Sequence, residues 1–475
     1  MLGELPHGRR ACSSQAESAA TVDRRAAIVV FCVAFAACAA LTKHHVLSWN
    51  DGSRIATVDA LTANHTFVID GSPFAVGLGD KIRFGDKTYS DKPPLLALQG
   101  AVVALAVAPL GVTLRQTPGA AIYLVTLLSV GVWFAIGSCY AYAFQRELGF
   151  GPRVAGAVAA LTGIGTLALP YAIVLTNHVP CGASVLAACF HLVRARQRGL
   201  AHVALGGIYF ALAYAFDPAG IILALAGAVL LWGAPVRWWL TCAAAGAPIV
   251  ALQLAYNLVV SGSVVPTAFN GAVWGTPPVP AAAPMIALFS PVQYAGFVMN
   301  LLFGGKGLFA FTPLVFVVAY GLVVMWRSRG LMRRVALGIS AACAVFFALI
   351  VLLQNDSEAR NFGERRFVDL FFLLGVALGP ALTTVRTAAG VALVRLCVAS
   401  SVALAALGTV APFGGAAGES GFSFATAEFA ALYRRAPIQA VIDVVVLLVV
   451  LALVQRLLPL RANGAAATAA ARPRG

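Results

Sequence analysis

The chain has 475 residues, of which 60% are hydrophobic and only 11% are charged. Soluble domains carry about 25% charged residues, so this composition excludes a soluble protein and indicates a polytopic membrane protein. The formal net charge is +15, and the Lys and Arg residues are gathered in a few short segments. In a membrane protein this pattern reports topology under the positive-inside rule, and we expect membrane lipids but no nucleic acid as partners.

Thirteen apolar stretches are candidates for membrane spans, which need about 17–25 residues each. In chain order they are 26–42, 94–112, 119–143, 154–176, 179–195, 201–215, 218–232, 239–259, 308–326, 334–353, 368–385, 390–412 and 437–457. Because several are short, we expect an all-α bundle of about 11–13 transmembrane helices. An internal repeat is the usual sign of an inverted-repeat transporter, and the sequence shows none.

The domain organisation predicted from this pattern is simple. Residues 26–460 form a single transmembrane domain, in which 43–93 is a large first outer loop. The polar segment 1–25 is expected to be a disordered cytoplasmic N-terminus. The Ala- and Arg-rich segment 461–475 is expected to be a disordered tail.

The charged loops predict which segments share a side of the membrane. The basic loops 194–198 and 327–334 are expected on the cytoplasmic side. Counting spans outward from them places the long polar segments together on the outer side; these are 43–93, 176–179, 260–307, 354–367 and 413–436. A full crossing by 94–112 would put Arg146 outside, against the charge rule. We therefore prefer a re-entrant or surface helix for 94–112.

The first outer loop contains the candidate general base and many of the charged residues of the chain. Asp51 and Arg54 share one face of a predicted short amphipathic helix along the membrane surface. A carboxylate kept ionised by a neighbouring cation suits a general base, so Asp51 is the candidate and Arg54 its support. The following stretch, 77–94, reads GLGDKIRFGDKTYSDKPP and is predicted to be a basic, turn-rich return to the bilayer.

The order of these motifs resembles the GT-C superfamily of integral-membrane glycosyltransferases. Its nearest branch contains the protein O-mannosyltransferases and the lipid A aminoarabinose transferase. The resemblance rests on D-x-x-R after the first span, on NHTFVID at 64–70, and on Y-x-[acid]-K-P-P-L at 89–95. Two later segments are similar to family segments that precede spans, namely FGGKGLFAFTPLVF at 303–316 and NFGERRFVDLFFLLG at 361–375.

Two departures from the family pattern bear on the chemistry. The acidic pair that often follows the first span is reduced here to Asp51 followed by Gly52. Where the family often has an acidic residue at the outer end of a middle span, this chain has Asn177 and His178. The resemblance therefore leaves the use of a divalent cation open, and the residues alone establish no metal site.

The resemblance implies transfer of a sugar from a polyprenyl-phosphate donor to an acceptor hydroxyl on a lipid, glycan or protein. Such a hexosyl- or pentosyltransferase needs cations that hold the leaving phosphate. Lys92 is the first candidate because two prolines stiffen the backbone after it. Arg365 and Arg366 come next, since guanidinium grips phosphate oxygens in bidentate fashion, and Lys306 is third.

Other residues of the predicted site have less defined roles. Tyr89, Asp91, Asn177 and His178 are assigned as supporting residues, and His178 either hydrogen-bonds the phosphate or ligates a metal together with Asp91. Purely structural roles stay open for these residues. Lys92 and Lys306 could serve as anchors at the membrane edge, and Arg365 and Arg366 could pair with Glu358 and Glu364. Outside this set, Asp217 is interpreted as a turn residue and Asp369 as interfacial.

A transporter or flippase of lipid-linked sugars is the alternative function. Coupled transporters usually carry ionisable residues well inside their spans, whereas here they lie mostly at span ends or in loops. A transferase using soluble sugar nucleotides is disfavoured, since no D-x-D motif occurs. We therefore expect a multi-pass protein of the bacterial cytoplasmic (inner) membrane, with its active site on the periplasmic face and acceptors meeting 260–307 and 413–436.

Overall fold

The computed structural model describes residues 7–267, 290–353, 360–414 and 421–460. The first half of the chain forms α1 (His7–Leu41), α2 (Trp49–Asn64), α3 (Pro94–Val107), α4 (Pro118–Thr126), α5 (Val132–Glu147), α6 (Pro152–Ile164), α7 (Ala168–Ala172), α8 (His178–Arg198), α9 (Leu200–Phe216) and α10 (Gly220–Leu231). The second half forms α11 (Val236–Ser261), α12 (Pro291–Phe303), α13 (Leu308–Phe311), α14 (Leu314–Arg327), α15 (Gly330–Leu353), α16 (Val368–Leu374), α17 (Leu378–Thr384), α18 (Ala388–Val410), α19 (Gly421–Arg435) and α20 (Pro437–Leu457). The expected all-α polytopic architecture is confirmed.

The helices form one bundle around α8. Every residue of α8 from His178 to Val193 is buried, and a single continuous apolar core runs through the described helices. Proline begins several of the helices, where its missing N–H costs no intrahelical bond; the examples are Pro94, Pro118, Pro152, Pro291 and Pro437.

Among the described residues, eight helical stretches are long and apolar enough to cross a membrane. They are Asp23–Leu41, Pro118–Glu147, Val236–Ser261, Pro291–Phe311, Gly330–Leu352, Arg365–Thr384, Ala388–Val410 and Pro437–Leu457. Five shorter apolar helices join them, at Pro94–Leu110, Pro152–Ile164, Leu200–Phe216, Gly220–Leu231 and Leu314–Arg327. The predicted stretches correspond to these helices, apart from 179–195, which corresponds to α8, and apart from the differences below.

Two helices lie in segments that we interpreted as outer loops. α12 begins at Pro291, where Ser290 and Gln293 form a capping box, and it lies within the predicted loop 260–307. α19 lies within 413–436 and ends at Arg434 and Arg435. The sequence prediction missed both helices. Pro291–Phe311 is long and apolar enough to cross a membrane, so the loop interpretation of that stretch was wrong, whereas the outer placement of 413–436 stays a prediction. Residues 268–289 and 415–420 lie outside the described residues.

The N-terminal prediction also changes. α1 begins at His7, so residues 7–25 continue the helix of the first span where we expected disorder. After Gly8, this segment contains no Pro or Gly that would end a helix. Residues 1–6 and the predicted disordered tail 461–475 lie outside the described residues.

The first loop is a compact unit packed on the bundle. α2 follows the prediction in position but not in setting, because all its residues from Asn50 to Ala60 are buried. Over these residues it therefore lacks the exposed face of the amphipathic helix that we predicted, and its position along the membrane surface stays a prediction. The return segment forms the antiparallel strands β1 (Lys81–Phe84) and β2 (Lys87–Ser90). Gly85 opens the tight turn between them with a φ of +63°, a conformation that favours glycine.

The bundle has two chemically different ends. At one end, called the basic end, Arg146 of α5 binds Asp23 of α1 at 2.8 Å. The helical stretch that α4 and α5 form together starts at the other end, at Pro118. That end also holds the first loop and is called the loop end.

The segment 94–112 does not connect the two ends. Before it, the Ser90 and Ser53 hydroxyls are 2.5 Å apart. After it, Arg115 Nε lies 3.0 Å from Asp59 Oδ1. Both Ser53 and Asp59 belong to α2, so α3 leaves the first loop and returns to it. The re-entrant or surface interpretation is thereby supported.

The return of α3 resolves the conflict with the charge rule. α4 starts at the loop end, where the rings of His44 and Tyr123 stack at 5.2 Å. The continuous helical stretch Pro118–Glu147 then runs to the basic end. Arg146 therefore lies with the other arginines of that end, as the positive-inside pattern requires.

Candidate functional site

Asp51 lies at the start of α2, and its carboxylate is occupied by helix capping. Asp51 Oδ1 accepts hydrogen bonds from Ser48 N at 2.7 Å and Ser48 Oγ at 2.6 Å, and Oδ2 accepts one from Leu47 N at 2.8 Å. Ser48 and Asp51 thus form a reciprocal capping box. Burial raises the pKa of Asp51 above its usual range, and the capping hydrogen bonds oppose that shift.

Arg54 is fully buried one turn further along α2. Its Nη1 donates to the Asn50 carbonyl at 2.8 Å, and its Nη2 donates to Asn177 Oδ1. Within the described chain its Nε has no acceptor. The bond to Asn177 spans 123 positions in sequence, so Arg54 connects the first loop to the start of the central helix. A buried guanidinium needs anionic or carbonyl partners, and the surroundings supply them.

Asn177 continues this connection to a group of carboxylates. Its Nδ2 donates to Asp217 Oδ2 at 2.5 Å, and Asp217 Oδ1 accepts a bond from Ala219 N at 2.9 Å. His178 Nδ1 lies 3.6 Å from Asp217 Oδ2 and 3.2 Å from Asp369 Oδ2. Two carboxylates, from the starts of α10 and α16, therefore converge on the imidazole at the start of α8.

The close approach of α16 to α8 depends on Gly182. A Cβ atom there would lie 2.9 Å from the Asp369 carbonyl oxygen and 3.3 Å from that of Val368. Glycine lets the two backbones touch, and the contact brings Asp369 within reach of His178 one turn earlier. Asp369 itself is 1% exposed.

The hairpin places Lys92 between two carboxylates. Lys92 Nζ lies 2.9 Å from Asp80 Oδ2 and 2.8 Å from Asp91 Oδ2. Although burial raises the pKa of Asp80, the Lys92 ammonium holds it below its usual range. Asp91 is 3% exposed, and its Oδ1 has no hydrogen-bond partner among the described residues. Asp91 therefore has one engaged oxygen and one that is buried and unpaired.

The segment before α16 brings two arginines to the same end. The charge of Arg365 lowers the pKa of Asp80, after the stronger effect of Lys92, so its guanidinium lies within electrostatic reach of the hairpin. Its Cζ also lies 5.8 Å from the centre of the Phe413 ring. Arg366 Nη1 is 3.5 Å from Glu364 Oε1, the pairing that we had left open. Residue 358, the other candidate partner, lies outside the described residues.

Tyr89 and Lys306 are two further residues of the predicted site. Tyr89 packs against the small apolar group of Ile82, Tyr256 and Val260, so its ring supports the hairpin. Lys306 is half-buried in the turn before α13. That helix packs on the arginine segment through Phe311 and Phe362, whose rings are 4.9 Å apart.

Sequence reasoning missed the two carboxylates around His178. Asp217 was interpreted as a turn residue, and the turn at Pro218 and Ala219 confirms this. Asp369 was interpreted as interfacial, and neither interpretation included the contact with His178. A usable signal existed, because a carboxylate at a break between apolar helices or just inside a span is functional by default. The predicted pairing of His178 with Asp91 is also replaced, since Asp91 binds Lys92. The residues that could hold a metal ion are His178, Asp217 and Asp369, whose ligand atoms lie within 4.8 Å of one another.

No protein-family model and no curated protein matches the sequence, but the fold is similar to solved membrane enzymes. ArnT from Cupriavidus metallidurans in the apo state aligns over 94% of this chain and 74% of its own, with 19% identity and a TM-score of 0.56. The same protein bound to undecaprenyl phosphate aligns over 93% and 77%, with 16% identity and a TM-score of 0.52.

An oligosaccharyltransferase from Archaeoglobus fulgidus aligns over 82% of this chain, with 15% identity and a TM-score of 0.50. This chain covers only 56% of that protein. ArnT is a lipid A aminoarabinose transferase, and both proteins are GT-C glycosyltransferases. At these identities the likeness concerns the fold, and the chain therefore has the GT-C fold that its sequence motifs resembled.

Proposed function

We propose that the protein is a membrane glycosyltransferase that moves a hexose or pentose from a polyprenyl-phosphate donor to an acceptor hydroxyl. The observation that carries this proposal is the convergence of Arg54, Lys92 and Arg365 with buried carboxylates at the loop end. One of the fold relatives is bound to undecaprenyl phosphate, which supports a lipid phosphate as the donor's leaving group.

The three cations suit the charge that develops during transfer. As the bond between the sugar and the phosphate breaks, negative charge builds on the phosphate oxygens, and preorganised cations stabilise it. Lys92 supplies a compact ammonium, while Arg365 supplies a planar guanidinium that can bind two phosphate oxygens. Arg54 is held rigidly by Asn50 and Asn177 and adds a fixed positive charge beneath them.

A carboxylate must accept the proton of the attacking hydroxyl. Asp51 was the expected base and stays a prediction, but its oxygens accept the capping hydrogen bonds from Ser48 and Leu47. Asp91 has a buried oxygen without a partner, and such an atom needs an explanation in a folded protein. We therefore favour Asp91 as the general base, with Lys92 holding its second oxygen.

The proposed orientation follows from the arginines of the basic end. Arg146, Arg196 and Arg334 favour the cytoplasmic side for that end, which assigns the loop end to the periplasmic face of the bacterial inner membrane. The acceptor, a lipid or a glycan, would approach from that side, and the lipid tail of the donor would lie along the apolar helices.

The direct test is a transfer assay with purified protein in detergent and a panel of polyprenyl-phosphate sugars. We expect release of polyprenyl phosphate together with glycosylation of an acceptor from the native envelope. Analysis of envelope glycans from a deletion strain identifies the sugar that is lost. Movement of the lipid-linked sugar across proteoliposome membranes without any transfer would instead support a transporter and contradict the proposal.

A further inference from the structure

We propose that His178, Asp217 and Asp369 form a binding site for one divalent cation of the Mn²⁺ or Zn²⁺ class. The role of the cation in holding the donor phosphate rests on the proposed function, whereas its binding does not. These residues lie on the bundle side of the site and differ from the first-loop residues that the sequence singled out.

The distances fit one coordination sphere. His178 Nδ1 is 3.2 Å from Asp369 Oδ2 and 3.6 Å from Asp217 Oδ2. With metal–ligand bonds of about 2.0–2.2 Å, neighbouring ligand atoms of one tetrahedral or octahedral ion stand about 3.0–3.6 Å apart. The separation of 3.6 Å is too long for a hydrogen bond, so a proton on Nδ1 reaches only Asp369.

The charges also call for a cation. The side chains of Asp217 and Asp369 are 15% and 2% exposed, and they share one imidazole. A bound metal ion is one of the partners that stabilise buried carboxylates, and one ion can serve both of these at once. One neutral imidazole supplies a single proton at Nδ1 and no net charge. Arg54 does not contact Asp217 directly, because the Asn177 amide lies between them.

The surroundings orient the ligands as outer-shell groups do in metal sites. Metal-binding carboxylates are usually held by further hydrogen bonds. Asp217 accepts one bond from the Asn177 amide and one from the Ala219 backbone. Asn177 is in turn fixed by Arg54, and Gly182 allows Asp369 to approach. These contacts come from four different segments and position the two carboxylates independently of each other.

The ligand set selects the class of ion. Carboxylate oxygens suit Mg²⁺, Ca²⁺ and Mn²⁺, whereas imidazole suits Zn²⁺ and later transition metals. One imidazole with two carboxylates is compatible with Mn²⁺ and Zn²⁺. Three protein ligands leave further coordination positions open, and under the proposed function the donor's phosphate oxygens would occupy them.

The test is direct titration of Mn²⁺ into chelator-treated, purified protein without any donor, followed by electron paramagnetic resonance. We expect one bound Mn²⁺ per chain and competition by Zn²⁺. His178→Gln, Asp217→Asn and Asp369→Asn should each weaken binding at least tenfold, and Asn177→Ala about 10- to 100-fold as an outer-shell change. Asp70→Asn is the matched control, because this exposed carboxylate only accepts a bond from Thr88 N, and its affinity should equal that of the wild type.

The wild-type titration remains decisive even if a ligand variant fails to fold. Absence of saturable Mn²⁺ or Zn²⁺ binding in the folded wild type overturns the proposal. Retention of wild-type affinity in all three ligand variants overturns it too. Binding without sugar transfer would leave the cation site standing and contradict the proposed function. Sugar transfer by wild-type protein that binds neither ion would support the proposed function and contradict the cation site.

Discussion

The two ends of the bundle use the same residue type in different ways. At the basic end, Arg196 and Arg334 donate to the carbonyls of Leu230 and Trp232, where α10 ends. Cations at a helix C-terminus complement its dipole, and both acceptors are backbone carbonyls at one helix end. At the loop end, Arg54 is wholly buried and binds a side chain 123 positions away.

This difference distinguishes arginines that set the orientation in the membrane from an arginine that belongs to the candidate site. Exposed arginines that hold helix ends set the orientation and contribute little energy each. A buried arginine linked through an amide to carboxylates is costly to desolvate, so we expect it to serve the site. The comparison predicts large activity losses from changes at the loop end and small effects from changes at the basic end.

The largest effect is expected for Asp91→Asn. Removing a general base lowers transfer by about 10²–10⁴-fold, while the side chain keeps its size and the protein stays folded. Transfer rates should be measured alongside thermal unfolding in detergent. Transfer by Asp91→Asn at the wild-type rate, with Asp51→Asn inactive, would return the base assignment to Asp51.

Lys92→Ala should follow in magnitude. Loss of one preorganised partner of the leaving phosphate costs about 10²–10³-fold in kcat, and the KM for the donor should rise more than the KM for the acceptor. Steady-state kinetics with each substrate varied in turn makes this distinction. A change confined to the acceptor KM would show that Lys92 does not bind the phosphate.

Gly182→Ala tests the contact between α8 and α16. The added methyl group would lie 2.9 Å from the Asp369 carbonyl, so the backbones must separate and Asp369 must move away from His178. We expect transfer to fall by about tenfold, as for other changes in groups that hold site residues in position. Gly156→Ala is the matched control, since a Cβ there meets no atom within 4 Å. Equal activity of the two variants would contradict this positioning role.

The smallest loop-end effect is expected for Asp51→Asn. The amide keeps the size of the side chain but loses one acceptor for the capping bonds of Ser48 and Leu47. Loss of a helix cap costs about 0.5–2 kcal/mol, so the unfolding temperature should fall while transfer by the folded fraction changes little. Unchanged stability with abolished transfer would support a catalytic role for Asp51.

Much of the fold followed from the sequence because apolar length and proline positions report helices directly. The prediction that 94–112 does not cross the membrane came from the charge rule, because a full crossing would have put Arg146 on the outer side. Helices α12 and α19 were missed because weak periodicity rich in small residues is typical of loops as well as of membrane helices. Helix α2 was placed correctly along the chain, but its burial depends on packing partners that local patterns do not contain.

The site was predictable only in part. Lys92 and Arg365 were recognisable because they stand in motifs beside span starts. The functional setting of Asp217 and Asp369 arises from contacts with His178 across 39 and 191 sequence positions, which no local spacing encodes. The same holds for Asp91, whose unpaired oxygen is visible only once the hairpin is folded.

The measurement that tests the central claim most directly is equilibrium binding of undecaprenyl phosphate to the purified protein, followed by native mass spectrometry. If the loop end holds the donor phosphate, Lys92→Ala and Arg365→Ala should each weaken binding at least tenfold. Arg196→Gln at the basic end should bind as the wild type does. Weakened binding in Arg196→Gln, with wild-type affinity in Lys92→Ala and Arg365→Ala, would contradict the account.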